Sequence, residues 1–301
     1  MSTVKHLLDI ADLGPGGLNA VLDLAQAPDA GRPLAGKGAA LVFQHPSART
    51  RNSMEMAVVQ LGGHPVYITD AEIGIGVRET PADVVRTLAC YHSLIAARVR
   101  DHTILEDMAA ASPVPVVNML SDAAHPLQAL ADLLTVRQEL GRLEGVTLAY
   151  VGDINNVARS LAAACAIAGV NVRLAAPSGF DCAPKDLANW SALGAEVTLT
   201  GNPREAVADA DVVYTDVWTS MGQEAENEKR KKIFAPYQVN DALMAAAKPG
   251  AIFMHCLPAK RGFEVTDSVV DSACSRVWRQ AENRMHSARG ALAYLLGAAG
   301  G

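Results

Sequence analysis

Long apolar runs are missing from this 301-residue chain, and aromatic residues make up only 5% of it. Without about 20 consecutive apolar residues, a bilayer-spanning helix is not expected. No C-x-x-C or H-x-x-x-H spacing occurs, which argues against a metal site. The five cysteines, Cys90, Cys165, Cys182, Cys256 and Cys274, are odd in number and lie mostly in apolar segments, so they read as reduced thiols rather than a disulfide framework. Positive charge is also scarce: 26 basic against 32 acidic residues give a net charge of −6. The one basic cluster, Lys229-Arg230-Lys231-Lys232, is short and follows acidic residues, so no nucleic-acid partner is expected. The first residues show no leader pattern, and the expectation is a soluble cytoplasmic enzyme.

Half of the residues are hydrophobic, enough for a large Ala/Val/Leu-rich core. At this length one core tends to split, which favours two domains of roughly 140 residues each. Short β-rich runs alternate with helical patterns throughout, the mark of parallel sheets built from βαβ units. Strands are expected at 39–43, 65–69, 94–99 and 114–118, then at 146–151, 170–175, 196–199, 212–215 and 251–255. Helices are expected at 53–61, 80–92, 126–140 and 283–296. Pro81 suits a first helical turn and Gly62-Gly63 a helix stop. The segment 141–145, Gly-Arg-Leu-Glu-Gly, separates a long helix from a new strand. The reading is α/β with two domains, 1–141 and 142–284, each a parallel β-sheet flanked by helices.

Several polar clusters interrupt this pattern where strands end. Ser47-Ala48-Arg49-Thr50-Arg51 follows the first apolar run and offers two guanidinium groups, two hydroxyls and the free N–H groups of a turn, a set suited to an anion. His125-Pro126-Leu127-Gln128 opens the long helix. Gly152-Asp153-Ile154-Asn155-Asn156 stands where a dinucleotide enzyme would carry G-x-G-x-x-G, but with one glycine it is wrong for NAD. Asp216-Val217-Trp218-Thr219-Ser220-Met221-Gly222 and His255-Cys256-Leu257-Pro258 close the two later strands. Beyond Gly222, residues 224–232 read as a solvated acidic-basic loop.

In this order the motifs resemble the transcarbamylases, and most closely their ornithine-specific branch. The resemblance covers nearly the whole chain. It implies that Ser47, Ala48, Arg49 and Thr50 grip the phosphate of carbamoyl phosphate, with Arg98 and Arg284 as further arginines. It sets His125 and Gln128 against the carbamoyl group, and brings the Cys256 and Leu257 carbonyls to its NH2. For ornithine it implies Asn156 (with Asn155 open), Asp216, Ser220 and Met221, and it makes Arg98, His125, Asp216 and Cys256 the catalytic set. No cofactor or metal is implied. A helix at 285–301 would return to the first domain, and the assembly would be a homotrimer or a multiple of trimers. Two positions depart from the family pattern. Ala48 replaces the usual Thr, predicting weaker phosphate binding, and Gly74 stands where a Gln or His usually reaches a neighbouring subunit; Arg78 could take that role. Arg51 is read as supporting.

The implied reaction carbamoylates the δ-amine of L-ornithine. Aspartate carbamoyltransferase is the nearest alternative, opposed by the Ser-Met-Gly loop and by the cysteine of H-C-L-P. A carbamoyltransferase for acetylated ornithine or putrescine, or a catalytically silent regulatory homologue, are the others.

Overall fold

The computed structural model describes residues 5–219 and 226–297. The chain forms two compact units: residues up to Leu134 together with those from Glu282 onward, and Thr135–Ala281. The division falls at 134/135 and 281/282, a few residues before the 141/142 and 284/285 read from the sequence.

In the first unit, β1 (Gly38–Phe43), β2 (His64–Thr69), β3 (His92–Arg98) and β4 (Val116–Leu120) form a parallel sheet in the order β2-β1-β3-β4. Residues 39–42 are wholly buried, which is why β1 is a continuous apolar run rather than an alternating one. The helices are α1 (Gly14–Gln26), α2 (Ala48–Gln60), α3 (Asp70–Ile73), α4 (Pro81–Ala89), α5 (His102–Ala111) and α6 (Pro126–Leu140), within which the division falls. Thr80 caps α4 by accepting from Asp83 N, and Pro81 occupies its first turn.

The second unit carries β5 (Thr147–Val151), α7 (Asn156–Ile167), β6 (Asn171–Ala175), α8 (Pro184–Ser191), β7 (Val197–Thr200), α9 (Pro203–Val207), β8 (Val212–Thr215), α10 (Asn227–Phe234), α11 (Asp241–Met244), β9 (Ile252–His255) and α12 (Asp267–Val270). Its five strands are parallel in the order β7-β6-β5-β8-β9. The last helix, α13 (Val277–Leu295), begins six residues before the sequence reading, and its part from Glu282 on belongs to the first unit. There Arg289 donates to the carbonyls of Leu24, Ala25 and Ala27, satisfying the end of α1. A Cβ at Gly290 would strike the Val21 carbonyl, so the two helices pack backbone to backbone.

Both sheets reverse their winding once, between β1 and β3 in the first and between β5 and β8 in the second. Open α/β sheets leave a crevice at the carboxyl ends of the strands at such a point. Pairing of Phe43 with Arg98 brings the turn after β1 beside the end of β3, and pairing of Thr215 with His255 brings the segment after β8 beside that after β9.

Candidate active site

In the first unit, Ser47 is the N-cap of α2. Its Oγ accepts from Thr50 N at 3.4 Å and donates to Thr50 Oγ1 at 3.1 Å. The Ser-Ala-Arg-Thr-Arg stretch is therefore the first turn of a 13-residue helix, and α2 starts at Ala48 rather than at residue 53. Exposed Ala48 and Arg49 stand at its positive end, where backbone N–H groups and the helix dipole favour an anion. Arg51 pairs with Glu55 at 2.8 Å and lies 4.0 Å from the Tyr67 ring centroid, a supporting place.

Arg98 ends β3 with only 5% of its surface exposed and donates to Thr50 Oγ1 at 3.4 Å. Burial, then the charges of Arg284 and Arg49, depress its pKa to about 10, and its buried Nε has no hydrogen-bond partner among the described residues. Arg284, equally buried on α13, donates to Gln128 Oε1 at 2.6 Å, while Gln128 Nε2 donates to Asp132 Oδ1 at 2.7 Å. That leaves the Gln128 carbonyl one lone pair for a ligand N–H. His125 is held well below the usual imidazole range by burial and by the same two arginines, so it is neutral at pH 7. Its loop is fixed from beneath by buried Asn118, whose amide donates to the Leu8 and Ala124 carbonyls and to Ser121 Oγ. Three cations thus meet a neutral imidazole and a helix N-terminus, an arrangement that a compact dianion would compensate.

The second unit builds the opposite charge. Asp216, 5% exposed, accepts from Val217 N at 2.7 Å and from the Cys256 thiol at 3.0 Å on Oδ1, and from Asn155 Nδ2 at 2.9 Å on Oδ2. Asn155 has a second duty, since its Oδ1 accepts from Val157 N and Ala158 N as the N-cap of α7. This fixes the amide orientation, leaving Asn156 as the first helical residue. Gly152 turns the chain at φ +144, where side chains are strained, and a Cβ would sit 3.5 Å from Thr215 Oγ1.

The turn after β9 is equally fixed. His255 N donates to Gln280 Oε1 at 2.9 Å, and its Nδ1 accepts from Leu257 N at 2.9 Å. The other nitrogen, Nε2, must then carry the proton and donate to buried Glu264 Oε1 at 3.2 Å. Leu257 takes φ +60 before a cis bond to Pro258, in the left-handed region that non-glycine residues seldom enter. Asp216, His255 and Cys256 each offer a donor atom within 4.8 Å of the others. With both His255 nitrogens committed to the protein, the cluster supplies two donors, too few for a zinc site.

The structure thus gathers Ser47, Ala48, Arg49, Thr50, Arg98, His125, Gln128 and Arg284 in one unit, and Asn156, Asp216, Cys256 and Leu257 in the other. Ser220 and Met221 lie outside the described residues. One expectation is corrected. From Asn227 the acidic-basic stretch is helix, and Arg230, 3% exposed, forms a buried pair with Asp153 at 2.8 Å. Asp153 carries no role in the motif reading of Gly152-Asp153-Ile154-Asn155-Asn156. The two residues lie 77 positions apart, and nothing in the sequence pairs them.

Two family models match the chain: the carbamoyl-P binding domain of aspartate/ornithine carbamoyltransferase over residues 5–138 and the Asp/Orn binding domain over 144–295. The chain belongs to the aspartate/ornithine carbamoyltransferase family. Within it, an ornithine carbamoyltransferase of Pyrococcus abyssi is 47% identical over 304 residues, covering 97% of this chain and 96% of the relative. The solved ornithine carbamoyltransferase of Pyrococcus furiosus superposes with a TM-score of 0.92 at 45% identity, covering 98% of each chain. A solved N-acetyl-L-ornithine transcarbamylase is more distant, at 30% identity and a TM-score of 0.85 over 97% of this chain and 99% of that one.

Proposed function

We propose that this protein transfers the carbamoyl group of carbamoyl phosphate to the δ-amine of L-ornithine, giving L-citrulline and phosphate. The observation that carries the reading is the buried Asp216 carboxylate, held by Asn155 and Cys256. A second substrate with a side-chain ammonium matches that charge, whereas aspartate would bring a second carboxylate against it. High similarity to ornithine carbamoyltransferases over nearly the full chain supports the same choice.

Ser47, Ala48, Arg49, Thr50, Arg98 and Arg284 are assigned to the phosphate, and His125, Gln128 and the Cys256 and Leu257 carbonyls to the carbamoyl group. Asn156, Asp216, Ser220 and Met221 are assigned to ornithine. The δ-ammonium has an ordinary pKa of about 10.4, so the nucleophilic amine is scarce at pH 7. Asp216, aided by Cys256, draws the ammonium in and accepts its proton. The freed nitrogen attacks the carbonyl carbon, and Arg98, neutral His125 and Thr50 stabilise the oxyanion. The bond from carbon to the phosphate oxygen then breaks, and phosphate leaves with the second amine proton. Holding both reactants in register supplies much of the rate, on the order of 7–11 kcal/mol for well-oriented reactions.

We assign carbamoyl phosphate to residues 1–141 with 285–301 and ornithine to residues 142–284. The cellular setting proposed is arginine synthesis in the cytoplasm; a Pyrococcus furiosus relative 50% identical over 270 residues is named as anabolic. A homotrimer is proposed as the assembly. Exposed Met56, Val59, Val77 and Tyr91 on the first unit offer apolar surface for it, to be checked by light scattering. A citrulline assay with carbamoyl phosphate and ornithine, aspartate, N-acetylornithine or putrescine tests the activity. Turnover of ornithine alone is expected, and turnover of another acceptor at a higher kcat/KM would refute the reading.

A further inference from the structure

Arg100, exposed and two residues past Arg98, joins the loops on either side of it. The backbone starts the tie: Gln44 N donates to the Arg98 carbonyl at 2.9 Å, Gln44 Oε1 accepts from Arg100 N at 2.9 Å, and the Arg100 carbonyl accepts from Asp122 N at 2.9 Å. The Arg100 side chain then reaches the turn before α2, where its Nε donates to His45 Nε2 at 2.8 Å. An arginine can only donate, so His45 must offer that nitrogen as an acceptor, uncharged and with its proton on Nδ1. Its surroundings agree. Burial, then the charges of Arg100 and Arg98, hold its pKa below the usual imidazole range, and Asp70 on α3 opposes them. Both side-chain acceptors that Arg100 meets here are thus neutral, and holding it takes nothing from the positive charge of the neighbouring anion site.

We propose that His45 and Arg100 form a strap for the carbamoyl phosphate site: by gripping each other they fix the N-terminus of α2, with Ser47, Ala48 and Arg49, against the end of β3, which carries Arg98. The proposal rests on the carbamoyl phosphate reading above. Two local features pass the grip on. Pro46 locks its own φ and disfavours helical backbone at His45, so residues 45–47 have little freedom to shift independently. Ser47 then caps α2 by accepting from Thr50 N, and Thr50 Oγ1 in turn accepts from Arg98. His45 and Arg100 are therefore positioning residues, acting through the anion's direct partners rather than on the anion. Removing the imidazole acceptor breaks the strap while the guanidinium keeps its charge, so position and charge can be separated by substitution.

Steady-state kinetics of the full chain at pH 8.0 tests the strap, with inorganic phosphate as an inhibitor that probes the anion site alone. His45→Phe keeps a ring but removes the acceptor, and Arg100→Met keeps length but removes the donor. Each should raise the KM for carbamoyl phosphate and the phosphate inhibition constant about three- to tenfold, the scale of one hydrogen bond, with the KM for ornithine within about twofold. His45→Gln supplies a neutral oxygen near the place of Nε2 and should stay within about twofold of wild type. Combining His45→Phe with Arg100→Met should be no worse than Arg100→Met alone, because both changes break one contact. A rise of less than about threefold in His45→Phe would overturn the proposal, since Arg100 would then act by charge only. So would losses that multiply in the double variant, a His45→Gln variant as impaired as His45→Phe, or a lower Tm with unchanged phosphate inhibition, the mark of a purely structural tie. A wild type that does not consume carbamoyl phosphate would instead fail the underlying reading.

Discussion

Replacing Asp216 by Asn removes one charge and one acceptor, and the structure separates the two effects. In the native site Oδ2 accepts from Asn155 Nδ2. Asn155 cannot turn its amide over, because its Oδ1 holds Val157 N and Ala158 N at the start of α7. An Asn at 216 therefore sets one NH2 group against another, or turns its own NH2 toward Val217 N and the Cys256 thiol. Either orientation leaves a buried polar group unmatched, at about 1–3 kcal/mol. For a chain of this size that is a fall in Tm of several degrees. The missing charge-assisted bond to the ammonium takes a further 1.5–3 kcal/mol or so from the transition state, roughly a tenfold to hundredfold loss of kcat/KM for ornithine. The KM for carbamoyl phosphate should hardly change.

A second substitution divides these losses. In Asp216→Asn with Asn155→Asp, one oxygen of residue 155 keeps the helix cap and the other accepts from the new amide. The lost Tm should largely return, while ornithine kcat/KM stays at least about fivefold below wild type because the carboxylate has moved off the acceptor. Differential scanning fluorimetry beside kinetics for both substrates reads the result. An ornithine kcat/KM within about twofold of wild type in the single variant would remove Asp216 from the acceptor site. A double variant as unstable as the single one would refute the opposed-donor argument.

Arg98→Leu should leave the fold intact and lower kcat by about 10²–10³, the range for loss of a transition-state charge donor; a change within about twofold would exclude Arg98 from the chemistry. Ala48→Thr restores a hydroxyl at the first position of α2 and should lower the KM for carbamoyl phosphate several-fold, on the scale of one hydrogen bond to a charged group, while an unchanged KM would mean that the backbone N–H alone serves there. His125 has a folded pKa depressed below its unfolded value, so the native state binds fewer protons and stability is lost as pH falls through about 6.5. The Tm drop between pH 7 and pH 5 should accordingly be smaller in His125→Gln, and an identical drop would show that this imidazole is not held neutral.

What could be read from the sequence follows the range of the interactions involved. Buried parallel strands announce themselves as continuous apolar runs, and each of the nine observed strands overlaps an expected one. Helix starts were less legible. Ser47 caps α2 with its own hydroxyl, so a stretch that looked like a turn is the helix's first turn. The opening of α13 is polar and aromatic, with Trp278 exposed, and gave no apolar stripe to follow. In the site, the residue types were legible but their pairings were not. Cys256 meets Asp216 across 40 positions only because β8 and β9 lie in register. Asp153 and Arg230, separated by 77 positions, each looked ordinary alone.

The choice of acceptor does not reside in Asp216 alone. Three donors converge on its carboxylate: the Val217 N–H, the Cys256 thiol and the Asn155 amide. An arginine or lysine placed there to receive a second substrate carboxylate would face those donors with no acceptor among them. Moving Asn155 to make room would undo the cap of α7. Converting the chain to an aspartate carbamoyltransferase therefore requires coordinated change in the segments after β5, β8 and β9. The sign of the buried charge is set by neutral hydrogen-bond partners that the fold itself needs, which ties specificity for a cationic acceptor to the stability of the second unit.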